Sequence, residues 1–157
     1  GGAALLPETL VVILGRRDED ARLVRYAVRA LRSLALHVAR MRERIGRRHD
    51  AMSAVLALTL SSDARVQLAA CSLVHMCVTG SPERVAVVEA CGGIPVLIEA
   101  LDAAATEDAR KQATQALTVI CEEDPTAATY VDNACGTVRL SDAVSDLLRD
   151  YRTPPFF

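Results

Sequence analysis

Ala27 to Ala35 read AVRALRSLA, Ala69 to Cys77 read AACSLVHMC, and Ala113 to Cys121 read ATQALTVIC. One pattern, Axx[AS]Lxx[LMI][AC], is written three times at intervals of 42 and 44 residues. Recurrence on that scale marks helices stacked in an array, where each unit buries its apolar face against its neighbours. Such arrays offer extended surfaces to partners rather than enclosed pockets to substrates. The tripeptide Asp-Ala-Arg stands at Asp20, Asp63 and Asp108, just ahead of each copy, and marks the same helix start three times. In the first copy, Leu23, Ala27, Ala30, Leu31 and Leu34 fall on one face, which predicts an amphipathic helix over Asp20 to Ala39.

Working outward, Ala90-Cys91-Gly92 returns as Ala134-Cys135-Gly136, and Pro82 and Pro125 stand at equivalent breaks before short helices. The clearest unit runs from Ser81 to Asp124. Periodicity and Gly/Pro punctuation predict a helix over Glu83 to Ala90, a Gly92-Gly93 turn, a helix over Ile94 to Asp102, an Ala/Thr-rich loop, and a third helix from about Asp108 to Cys121. Within it, Val87-Val88-Glu89-Ala90-Cys91-Gly92-Gly93-Ile94-Pro95-Val96-Leu97-Ile98 resembles the first-to-second helix junction of the armadillo repeat family, whose usual form is VVEAGGIPxLV, with Cys91 added or substituted. The AxxALxxLA pattern resembles that family's third helix.

The resemblance implies an all-α, right-handed α-solenoid, an armadillo-like superhelix of about three and a half three-helix repeats. Its units divide as 1–38 (a partial unit of second and third helices), 39–80, 81–124 and 125–152 (a partial unit), with a tail at 153–157. The unit 39–80 departs most, since Ala39 to Arg48 is densely charged and lacks the Gly-Ile-Pro junction; the two-helix HEAT repeat is the alternative there. An apolar opening helix containing Leu5, Leu6, Leu10, Val11, Val12, Ile13 and Leu14, and a closing Pro154-Pro155-Phe156-Phe157, suggest covered ends and a larger parent chain.

Composition bounds the function further. About half of the 157 residues are apolar, with three Tyr, two Phe and no Trp, so the core is one of Ala, Val and Leu. The net charge of −2 hides an asymmetry: residues 1–50 carry 11 Arg against 6 acids, and residues 51–157 carry 7 basic groups against 14 acids. The longest run without charge, Val66 to Pro82, contains Gln67, Ser72, His75 and Thr79, and falls short of the roughly 20 apolar residues of a membrane span. Five Cys without paired close spacing argue against a disulfide scaffold and for a reducing, intracellular setting, cytoplasmic or cytoskeletal, with an axonemal one open.

Candidate binding residues lie on the third helices. Arg22, Arg25, Arg29 and Arg32 fall within about 80° of one another opposite the apolar face. The resemblance would line a concave partner-binding groove with them, and Gln67, Cys71, His75, Lys111 and Gln115 continue that floor in later units. Arg40, Arg42, Arg44, Arg47 and Arg48 form a secondary basic patch. Arg bonds carboxylates and phosphates bidentately, so an acidic protein segment fits. Nucleic acid fits less well, because only Tyr26 lies near the arginines to stack a base and the remainder of the chain is acidic.

Nuclear import receptors of the armadillo family read basic peptides with a Trp and an Asn on each third helix. The matching positions hold Arg29, Cys71 and Gln115, and Ser33, His75 and Val119, so that specificity does not carry over. Catalysis lacks a motif as well: no Walker loop, GxGxxG or GxSxG is present, and His49-Asp50 lacks further metal ligands in the sequence. Cys71, His75 and Cys77 do not complete a four-ligand zinc set. Cys77 and Cys121 replace Ala35 in their copies, as small buried hydrophobes do. The chain is thus expected to be a noncatalytic interaction module without cofactor or metal, contacting other proteins along the groove and at both ends. Two alternatives are a structural subunit of a large cytoskeletal or ciliary assembly, by analogy of fold, and nucleic-acid binding through the basic N-terminal third.

Overall fold

The computed structural model describes residues 10–14 and 20–135, and these residues contain helices and no strand. After helical residues 10–14 (α1) come α2 (Ala21–His37), α3 (Ala39–Gly46), α4 (His49–Leu58), α5 (Ala64–Val78), α6 (Pro82–Ala90), α7 (Gly93–Asp102), α8 (Glu107–Glu123) and α9 (Pro125–Cys135). The closing Pro-Pro-Phe-Phe and the residues before Leu10 lie outside the described part.

The helix starts follow capping chemistry. Asp20 caps α2 by accepting from the Arg22 amide at 2.8 Å, and Asp63 caps α5 by accepting from Arg65 at 2.9 Å. Ser81 caps α6 ahead of Pro82, whose missing N–H is harmless at a first helical position. The third Asp-Ala-Arg differs: Thr106 caps α8 through Ala109, so α8 begins at Glu107 and Asp108 sits inside its first turn. A single extended residue, Val38 at φ −127° and ψ 100°, separates α2 from α3. Gly92, at φ 76°, makes the left-handed turn into α7. The charged stretch from Ala39 is helical despite its composition, and Arg47-Arg48 turn into α4 without any positive φ.

Equivalent helices stack on one another: α2 on α5 and α5 on α8, α3 on α6, and α4 on α7. Ala27, Ala69 and Ala113, with Leu31, Leu73 and Leu117, are all buried at these contacts. Small Ala at the crossing lets the helices approach, while Leu fills the layer between them. The pairs Arg25 with Asp63 and Arg32 with Ser72 rise together in number, as do Gln67 with Ala105 and His75 with Gln112, so α2, α5 and α8 run parallel. Being covered by α2 on one side and α8 on the other, α5 buries ten of its fifteen residues. Residues 10–14 add Val11 and Leu14 to the core, while Val12 stays exposed. No helix of the described residues is long and apolar enough to cross a membrane.

Candidate functional site

A trough of about 660 Å³ runs across the surface shared by α2, α5 and α8. Its lining places four cations together: Arg29 and Arg32 from α2, Arg65 from the first turn of α5, and Lys111 from α8. Asp108 is the one carboxylate of the lining, and Leu68, Ala69, Ser72 and Gln112 complete it. Among the described residues Arg29, Arg65 and Lys111 form no ion pair, so their charge faces the trough and solvent. Arg32 is steadied by a hydrogen bond from Nε to Ser72 Oγ at 3.1 Å. The N-termini of α5 and α8 open at this end and add partial positive charge. Together these groups create a surface for anions, with guanidinium forks suited to carboxylate.

The residues expected from the sequence divide into those the trough gathers and those it does not. Arg29, Arg32 and Lys111 line it. Arg22 is solvent-exposed beside Asp20 at 3.8 Å. Arg25 is held in a half-buried pair with Asp63 at 2.9 Å, each side chain 29% exposed. Asp63 feels opposing effects: burial raises its pKa, but the Arg25 guanidinium and the Arg65 and Val66 amides outweigh it and hold the carboxyl below the usual range.

Two expectations are corrected outright. Gln67 and Cys71 are each only 1% exposed and lie beneath the surface, because their face of α5 is the one covered by the next unit. Gln67 Nε2 donates to the carbonyls of Thr59 and Ala103, both at 3.1 Å, and Oε1 accepts from the Ala105 amide at 2.9 Å. That amide ties α5 to the end of α4 and to the loop leading into α8. Burial pushes the Cys71 thiol up to about 12, and Cys77 likewise to about 12. His75 and Gln115 line a second, smaller cavity of about 200 Å³ with Thr118, Val119 and Glu122. Burial lowers the His75 pKa, partly offset by its hydrogen bond with Gln112 at 3.0 Å.

The sequence reading missed Arg65, Asp108 and Gln112 as groove residues. Their signal was available: Arg65 and Asp108 each fall in the first turn of a repeated third helix, on the edge left open when the helices stack.

The secondary basic patch is largely neutralised within the chain. Arg47 pairs with Glu43 at 2.8 Å and Glu83 at 2.6 Å, and Arg48 pairs with Asp50 at 2.7 Å. Arg44 leans on Met41 Sδ at 4.0 Å, Arg40 is exposed, and Arg42 joins Arg47 and Arg84 beside Glu43 and Glu83 around a mixed-charge depression. Arg84 donates to the carbonyls of Cys77 and Thr79, satisfying the end of α5. His49 is exposed and engages Cys91 Sγ only through its backbone carbonyl. Among the described residues no group of three or more His, Cys, Asp or Glu is placed to hold a metal ion.

Comparison with known proteins adds the fold. No family model matches, and no curated protein matches. Solved structures do: the crystal structure of an engineered protein, a Northeast Structural Genomics Consortium target, superposes with TM-score 0.68 at 24% identity over 83% of this chain and 51% of its own. A second engineered target of the same consortium gives TM-score 0.69 at 23% identity over 95% of this chain and 33% of its own. The chain therefore spans about half and a third of these two structures, and what it shares with them is an all-helical fold.

Proposed function

We propose that the chain is a noncatalytic, armadillo-like interaction module that binds an acidic segment of a partner protein along the α2–α5–α8 trough. The observation that carries this reading is the convergence of Arg29, Arg32, Arg65 and Lys111 around one open trough of about 660 Å³ with Asp108 as the opposing charge. An open trough lined from three stacked helices suits an extended segment better than a compact metabolite. The stacking of equivalent helices and the threefold motif support the armadillo-like assignment, for which about three and a half right-handed units are proposed.

The test is fluorescence anisotropy with a labelled twelve-residue Asp/Glu peptide, comparing the intact chain with the R29E/R65E/K111E variant. All three positions are exposed, so the substitutions leave the buried faces untouched, and far-ultraviolet circular dichroism should match the parent. Binding should fall with salt in the unaltered chain and drop at least tenfold in the variant, as expected for charge-assisted contacts. Equal affinity in both proteins refutes the groove.

A second reading, a structural neighbour stacked on the α2 end, is favoured by the exposure of Leu23, Tyr26, Leu36 and Val38 there, with Tyr26 at 62%. It is tested by whether Y26S/L36S lowers self-association or sedimentation of the intact chain.

A further inference from the structure

A second cavity lies beside the trough. Gln112 lines the trough, and its Oε1 meets His75 Nδ1 at 3.0 Å; His75 in turn opens the smaller cavity lined by Gln115, Thr118, Val119 and Glu122. The two cavities therefore adjoin along the α5–α8 seam. Their chemistry is opposite. Lys111 and Arg65 mark one end, while Glu122, exposed and without an ion pair among the described residues, marks the other. Gln115 also lines the second cavity, though its Oε1 is buried beneath the surface.

The backbone reinforces the contrast. Because α5 and α8 are parallel, their positive ends gather at the cationic mouth and their negative ends lie toward His75 and Glu122. Lys111 and Glu122 lie on one helix, about 16 Å apart at 1.5 Å rise per residue. An extended chain covers that span in about five residues.

Given the groove reading above, on which this rests, we infer that the trough selects a charge-polar segment laid in one direction. Carboxylates sit over Arg29, Arg32, Arg65 and Lys111. About five residues along, a Lys or Arg side chain reaches Glu122 in the second cavity. The trough thus recognises a spacing between acidic and basic residues as well as acidity.

The test uses labelled synthetic peptides with the intact chain: four alternating Asp/Glu, a four-residue Gly/Ser spacer and two Lys, in both chain directions, and the same peptides with Ser replacing Lys. The better direction should bind about fivefold tighter than its Ser counterpart, the size expected of one partly exposed ion pair with a hydrogen bond. E122K should abolish that advantage while leaving the Ser peptide bound as before. If the Ser peptides bind as tightly as the Lys peptides and E122K changes neither, the bipartite inference is overturned and the acidic groove stands. If no acidic peptide binds the unaltered chain, the groove reading itself fails and takes this inference with it.

Discussion

Replacing Gln67 should be among the most damaging single changes away from the apolar core. Its amide makes three hydrogen bonds to backbone groups of two other segments and is 1% exposed. Each such bond contributes about 1 kcal/mol net, and losing it strands a buried backbone partner. Gln67→Met keeps the volume and removes all three bonds, so a loss of about 3 kcal/mol is expected. Gln67→Ala adds an unfilled space and should lose about 4 kcal/mol. With a urea slope of about 2 kcal/mol/M, the Met variant should unfold about 1.5 M earlier. Urea titration followed by far-ultraviolet circular dichroism reads this directly, provided the slope is unchanged. A Met variant within about 0.5 kcal/mol of the parent would refute the argument, because it would mean Thr59, Ala103 and Ala105 find other partners at no cost.

Other expectations follow from the same geometry. Burial, with a hydrogen bond and charge repulsion from Asp124, raises the Glu89 carboxyl to about 7, above its ordinary value near 4.5. A raised carboxyl stabilises the fold most below about 4.5 and loses that contribution as pH rises through about 7. Thermal melts should therefore show Glu89→Gln gaining on the parent between pH 5 and pH 8 by under about 1 kcal/mol, discounted for partial exposure; a constant difference across that range contradicts the assignment. Gly93→Ala should destabilise by at least about 1 kcal/mol, since a Cβ there would press on the Val88 side chain and carbonyl. Cys71 and Cys77, with thiols near 12, should resist iodoacetamide at pH 8 in the folded chain and react only on denaturation, as mass spectrometry would show.

Much of the fold was legible because what repeats in the sequence is what packs. Ala27, Ala69 and Ala113 recur at the same contact for a steric reason, and Asp20 and Asp63 mark helix starts because carboxylates cap exposed amides. The site was half legible. Spacing correctly aligns Arg25 with Gln67 and Arg29 with Cys71, but the aligned face is the one each unit presents to the next. On α2 its arginines reach past the smaller contact into the trough or onto Asp63; on α5 it disappears under α8. The clue lay in composition rather than spacing. Helix α5 carries no charge from Val66 to Val78, which is how a helix covered on both sides reads, whereas α2 alternates Arg with Leu and Ala because one flank is open. Arg65 escaped notice because the Asp-Ala-Arg tripeptide it closes, shared with Arg22 and Arg110, reads as the mark of a helix start rather than as a surface charge.

The two junctions between third helices are fastened by different materials. The α2–α5 junction relies on Arg25 with Asp63, a half-exposed ionic clasp that salt screens and acid discharges. The α5–α8 junction has His75 with Gln112 and, at the loop leading into α8, the buried amide of Gln67, which carries no charge for salt to screen or acid to discharge. In a linear stack where each layer touches only its neighbours, unequal fasteners give unfolding a direction. Brine, or acid strong enough to protonate a carboxyl held below its usual range, should peel the molecule from its α2 edge inward, leaving α5 to α8 as the last protected block in hydrogen exchange. The array is thus a zipper with a preferred end.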